Sequence, residues 1–255
     1  MEAKHCLNCN EVVEKRYCPN CGQTTDTHRI TFKHFLLHDI LHGVWHVERG
    51  ILFTIKEVFT RPGQAAVDYI GGKRIKYYNV FYLTVLVVGL NILLSEYYTQ
   101  LESNYFTYTD IQDFTVGEKK YNNSLSLYSK ILLLTLIPFF ALLGYLIFKR
   151  KNYNLSEHFI ISGVCFLGIM IITGIGHILS YLDFTENFGW ISTMSNIAIP
   201  VAILFYISYC YYGAFNFHYG KSSLVGRIFL FLLLLLVGLY SVTGFMKIIF
   251  KAIYD

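Results

Sequence analysis

The run Phe229–Tyr240, FLFLLLLLVGLY, leaves a chain few folding choices. It lies inside a longer apolar stretch, about Leu224 to Phe250, which at helical pitch offers water no polar face. A hydrocarbon core of about 30 Å needs about 20 helical residues to cross it. Four more stretches are long enough: about Tyr78 to Tyr98, Lys130 to Phe148, His158 to Leu182 and Trp190 to Tyr212. Lipid provides no hydrogen-bond partners for an open backbone, so these segments must close their own bonds as helices. The sequence therefore predicts an all-α polytopic membrane protein with about five transmembrane helices. Composition agrees, because 15% of residues are charged where soluble domains carry about 25%. The formal net charge of +4 is too small for a nucleic-acid binder, and none is expected as a partner. The bilayer itself is the first partner.

Loop charges set the direction of threading. Lys73, Arg74 and Lys76 precede the first span, Lys149, Arg150 and Lys151 follow the second, and Lys221 and Arg227 flank the last turn. Lys119, Lys120, Lys130, Lys247 and Lys251 lie on the other side, so the count is eight against five. The first group is expected to face the cytoplasm. The opening residues Met1 to Cys6 lack an apolar signal core, so the N-terminus is expected inside and the C-terminus outside an inner membrane. The loop of about 99–129 is then external, an ordered connector or a ligand- or partner-binding cap. Alternation in YFTYTDIQDFTV, Tyr105–Val116, suggests a short strand or hairpin there.

Residues 1–26 form a different kind of object. Cys6-x-x-Cys9 and Cys18-x-x-Cys21-Gly22 have the spacing of two metal knuckles. Four thiolates close a tetrahedral site and leave no position for a reacting water, which points to one structural zinc per chain. Thiols at this spacing in a reducing compartment serve metal binding more readily than disulfides. So small a segment cannot bury a useful core, so metal binding has to supply its folding energy. The expected role is bundle stabilisation or docking of a protein partner. Cys165 and Cys210, in apolar runs, read as small buried residues.

Residues 27–77 connect this ribbon to the bundle of 78–255. From Thr31 to Thr60, Leu36, Ile40, Val44, Val47, Ile51, Ile55 and Val58 share one helical side. That predicts an amphipathic helix in the interface or beneath the bundle, or a helix pair broken at Gly43 or Gly50. His34, His38, His42 and His46 repeat at i, i+4 with Asp39 nearby, a candidate second metal or pH-sensing site. The ladder drifts by about 40° per step at helical pitch, so all four cannot reach one ion. A polar stripe among headgroups is the simpler reading. Pro62 suits a first helical position with Thr60 as cap, and Gly71-Gly72 should stop the short helix. Lys73, Arg74, Lys76 and Tyr77 then fall at headgroup level.

YCPNCGQ, the amphipathic segment and TRPGQAAVDYIGGKRIKYYN resemble an uncharacterised family of bacterial inner-membrane proteins, domain of unknown function 3667. Pro62, Gly63, Tyr69, Ile70, Gly72, Lys73, Arg74 and Tyr77 occupy the family's block. Val80 stands where the family leads one to expect a proline. The resemblance implies a zinc ribbon followed by several spans, and it brings no activity.

Ionisable residues inside the bilayer mark function when they occur. His158 and Lys247 sit near span ends, where snorkelling suffices. His177, in TGIGHILSY, is the candidate buried functional group, with Gly174 and Gly176 letting helices approach. Asn91 and Asn196 are candidate helix-pairing residues, and Pro138 and Pro200 candidate kinks. No nucleophilic triad, phosphate loop or carboxylate dyad is present. The sequence points to a non-enzymatic protein, alone or as a homo-oligomer. A small transporter is the alternative, and a metal-dependent enzyme acting on lipid is a weaker one.

Overall fold

A computed structural model describes residues 5–25, 50–106, 135–149, 152–185 and 187–254. The long elements among them are all helical: α1 Ile51–Thr60, α2 Pro62–Ile70, α3 Val80–Phe106, α4 Thr135–Ile147, α5 Leu155–Ser180, α6 Gly189–Phe215 and α7 Lys221–Tyr254. A single 3-10 turn, Tyr181–Phe184, follows α5. Four helices, α3, α5, α6 and α7, are long and apolar enough to cross a membrane. The described part of the fifth expected span is Thr135–Ile147, about 20 Å of helix and shorter than a hydrocarbon core.

Contacts between distant residues fix the directions of the helices. α3 and α5 run parallel: the Asn91 side-chain amide donates to the Met170 carbonyl at 3.1 Å, and the Tyr98 hydroxyl to Asp183 at 2.9 Å. α6 returns antiparallel, with Ser192 donating to the same Asp183 oxygen at 2.9 Å. α4 and α7 oppose each other, because Arg227 near the start of α7 donates to the Ile147 carbonyl at the end of α4. That guanidinium satisfies a carbonyl the helix terminus leaves open. The starts of α3, α5 and α7 and the ends of α4 and α6 thus gather at one end of the bundle. An aromatic stack closes this end, with Phe148 on Phe215 at 4.4 Å and Tyr211 on Phe231 at 4.2 Å between centroids.

α5 is the central helix: 56% of its apolar window is buried inside the protein, against 22% for α6 and for α7. Asn154 and Glu157 start it with a capping box, at 2.8 and 2.7 Å. The outer helices turn large apolar side chains away from the core, Phe205 at 73% and Tyr240 at 82% exposure among them. A continuous apolar surface of that kind requires lipid or protein to cover it.

Several expectations are corrected. α3 continues to Phe106, so Thr99–Phe106 of the expected loop is helix, and the strand or hairpin suggested for Tyr105–Val116 lies outside the described residues from residue 107 onward. Gly50, at φ 111°, stands as N-cap of a helix that begins at Ile51, the break point of the alternative reading, and residues 31–49 of the segment lie outside the described residues. Ile51 and Ile55 pack against the bundle core and Val58 is buried in it, as the apolar stripe requires. Pro62 takes the first position of α2, but Arg61 precedes it as N-cap and the Thr60 hydroxyl bonds back to Lys56 at 2.9 Å. His158 does not snorkel. It is 1% exposed, stacked on Phe215 at 5.9 Å and edge-on to Tyr145 and Tyr153, because the turn before α5 and the end of α6 close over it.

The corner between α1 and α2 is bound to α6 for a chemical reason. Pro62 has no N–H, so the Val58 carbonyl, four residues earlier, has no helical donor. Tyr206 of α6 supplies the missing donor at 2.8 Å, and Tyr209 donates to the Thr60 carbonyl. Tyr206→Phe removes the donor and leaves a buried carbonyl unsatisfied, which costs about 1–3 kcal/mol. A lowered thermal midpoint in detergent is the expected result; an unchanged one would mean that the carbonyl finds another donor.

Candidate metal centre and the loop beneath it

The N-terminal ribbon is built from one motif used twice. Cys6-Leu7-Asn8-Cys9-Asn10-Glu11 and Cys18-Pro19-Asn20-Cys21-Gly22-Gln23 fold alike. In the first, the Cys6 amide donates to the Glu11 carbonyl at 2.8 Å; in the second, Cys18 donates to Gln23 at 2.8 Å. Asn10 at φ 62° and Gly22 at φ 75° occupy the same left-handed corner. Asparagine is among the few non-glycine residues that adopt this conformation readily. Isolated bridges His5–Val12 and Tyr17–Thr24 close each knuckle at its base.

The two knuckles face each other sulfur to sulfur. Cys6 lies 3.6 Å from Cys21 and Cys9 lies 3.5 Å from Cys18, and all four Sγ atoms are within 4.8 Å of one another. The cysteines are unpaired thiols. This set could hold one four-coordinate metal ion. The backbone N–H groups of Glu11 and Gln23 donate to Cys9 and Cys21, one from each knuckle. The Asn8 side chain and the Gln23 amide pull Cys21 down to about 6. At Cys9 the Glu11 amide pulls down too, but burial and the neighbouring thiols prevail and push it up to about 12.

The ribbon rests on the loop between α2 and α3. The Gln23 side chain is 3% exposed; its Nε2 donates to the Gly72 carbonyl at 2.5 Å and its Oε1 accepts from the Ile75 amide at 3.5 Å. Gly72 has φ 99°, and a Cβ there would stand 2.6 Å from Leu7 Cδ1. Side chains of both knuckles therefore touch the loop.

The loop and α2 are in turn locked to the bundle. Asp68, buried at the end of α2, accepts from Lys73 Nζ at 3.0 Å and from Gln64 at 3.2 Å. Arg61 pairs with Glu57 at 2.5 Å and reaches Asp68 at 3.8 Å. The Arg74 guanidinium lies 5.8 Å from the Tyr69 ring centre. Tyr77 is buried; burial first, then the carboxylates of Asp68 and Glu57, push its hydroxyl up to about 12. Gly63 sits directly on the α6 backbone at Cys210–Ala214.

Residues 48–88, which include this lock, match the family model described as a protein of unknown function, DUF3667. This segment is similar to that family. No curated protein and no solved structure matches the chain. The matched segment contributes α1, α2, the loop that receives the ribbon and the start of α3.

The other candidate residues are placed as follows. His34, His38, His42, His46 and Asp39 lie outside the described residues. Of the expected headgroup residues, Lys76 is exposed, while Lys73, Arg74 and Tyr77 make the protein contacts given above. His177 is half-buried on α5, where Gly174 approaches Asn91 of α3 and Gly176 approaches Ile199 of α6. Asn91 joins two helices as expected, and Asn196 is exposed on α6. Sequence reasoning missed Gln23 and Asp68, although the repeat C-x-N-C-[NG]-[EQ] does mark Gln23 as the partner of Glu11.

Proposed function

We propose that this protein is an integral protein of the cytoplasmic membrane whose ribbon holds one structural zinc ion on the inner face of the helix bundle. It is a non-enzymatic protein that organises that face and offers it to a protein partner or a second copy. The observation that carries this reading is the crossed set of four sulfurs standing directly on the loop that leads into the first long apolar helix. Zinc about 2.3 Å from each sulfur would put the sulfurs about 3.8 Å apart, close to the 3.5 and 3.6 Å of the facing pairs. Four thiolates fill zinc's tetrahedral shell, so the ion supplies folding energy and no reactive water.

Threading follows from the same placement. Lys73, Arg74, Lys76, Lys149 and Lys221 lie at the ribbon end of the bundle, and this end faces the cytoplasm under the positive-inside rule. With α4 as part of a crossing, five spans put the C-terminus outside. Two measurements test the proposal. Purified protein should carry about one zinc per chain, and a C-terminal alkaline phosphatase fusion should be active while a C-terminal fluorescent protein stays dark. A chain without metal, or the opposite reporter pattern, overturns the corresponding half.

A further inference from the structure

We propose that metal occupancy of the ribbon is transmitted through Gln23 to the 71–77 loop that leads into α3, which Gln23 latches only while the second knuckle is folded around its ion. This inference rests on the zinc reading above.

Gln23 belongs to the metal knuckle and to the loop at once. Its backbone N–H donates to the Cys21 sulfur, and its backbone carbonyl accepts from Cys18 at 2.8 Å. Two of its backbone groups are therefore set by two metal ligands. Its side chain is buried and reaches across to the Gly72 carbonyl and the Ile75 amide. One carbonyl needs a donor and one amide needs an acceptor, and a carboxamide offers each from a separate atom of one side chain. Glu11, at the same position of the first knuckle, is exposed. The repeat thus shows what the knuckle itself requires, and burial at the loop is an addition peculiar to Gln23.

The ribbon cannot hold Gln23 in place without the ion. Its buried apolar cluster is Cys6, Val13 and Cys18, with Cys9 and Cys21 packed on it, so four of five members are metal ligands. On metal loss the knuckles have no core to keep their shape, Leu7 leaves Gly72, and the loop loses both side-chain bonds from Gln23. Lys73 stays tied to Asp68 and α2 stays packed on α6, so the loosening is confined to the loop that sets the entry of α3.

Limited trypsin digestion of the full chain in detergent reads this directly, because Lys73, Arg74 and Lys76 are cleavage sites within the loop. Chelation with 1,10-phenanthroline should raise cleavage there, together with cleavage at Lys15 and Arg16 in the ribbon, while Lys56 in α1 keeps its rate. Gln23→Glu keeps the size and removes the donor. It should retain its zinc and uncut ribbon yet be cleaved in the loop about five to ten times faster, the worth of one or two buried hydrogen bonds. Chelation that strips the metal and leaves loop cleavage unchanged overturns the latch and leaves the zinc reading standing. A Gln23→Glu chain that loses its zinc also overturns it, since Gln23 would then serve the ribbon's own fold. Wild-type protein that binds no zinc defeats the underlying reading, and the latch with it.

Discussion

Gly63→Val is expected to unseat α2 from the bundle and to lower stability by several kcal/mol. A Cβ at Gly63 would lie 2.2 Å from the Cys210 carbonyl oxygen, 2.3 Å from the Ala214 nitrogen and 2.6 Å from the Gly213 carbonyl carbon. These are backbone atoms of a helix, so no side chain can rotate away to make room. α2 must retreat by about 1 Å or more before ordinary contact is restored. Extra methylenes in a packed core cost about 1–3 kcal/mol each time the neighbours can yield, and more where they cannot. Retreat of α2 would also pull Thr60 and Val58 from Tyr209 and Tyr206, whose hydroxyls satisfy their carbonyls. Gly63→Ala should show a smaller loss in the same direction. Gly89→Ala provides the control, because a Cβ there meets nothing within 4 Å. Thermal midpoints in detergent decide it: a fall for the Gly63 variants, with Gly89→Ala near wild type, is expected. Equal midpoints for all three would refute the close packing of α2 on α6.

Gly63 also illustrates what a sequence can and cannot disclose. Four of the five expected apolar stretches, found as long apolar helices, and the cysteine spacing are local properties, set by composition and by the reach of two residues between ligands, and both were legible. So was the end of α2 at Gly71-Gly72. The partner of Gly63 lies some 150 residues later in α6, where nothing in GQAAVDYI or SYCYYGAF shows that the two backbones meet. The same holds for Val58 and Tyr206. The proline announces a carbonyl without a donor, but only the fold says which hydroxyl replaces it. His158 was misread because position near a span end predicts snorkelling only when that end is open, and Phe215 and Tyr153 close it. Lys73 and Arg74, expected at headgroup level, also meet Asp68 and Tyr69, a few residues earlier in the chain. The contacts of such charges depend on the local backbone, whereas the spacing of the cysteines already predicts that their four sulfurs meet.

Cys18→Ser should abolish metal binding and unfold the ribbon while leaving the bundle inserted. Cys18 is buried in the small cluster at the ribbon's centre, with its sulfur 3.5 Å from that of Cys9. A serine hydroxyl is a poor substitute for a thiolate, and three sulfurs leave an open position in a site that was closed. Structural zinc contributes about 10–16 kcal/mol to small ribbons at neutral pH, far more than Val13 and the ligands' own burial can replace. Metal content should drop from about one zinc per chain to near zero, with new tryptic cleavage at Lys15 and Arg16. The bundle behaves differently, because its core of Phe148, Phe166, Tyr211, Phe215 and Phe231 contains no ribbon residue. Its extraction from membranes and its elution as a monodisperse particle should persist. If Cys18→Ser still holds a full equivalent of zinc, the tetrad is not the metal site. If the variant instead fails to reach the membrane, the ribbon is not a module independent of the bundle.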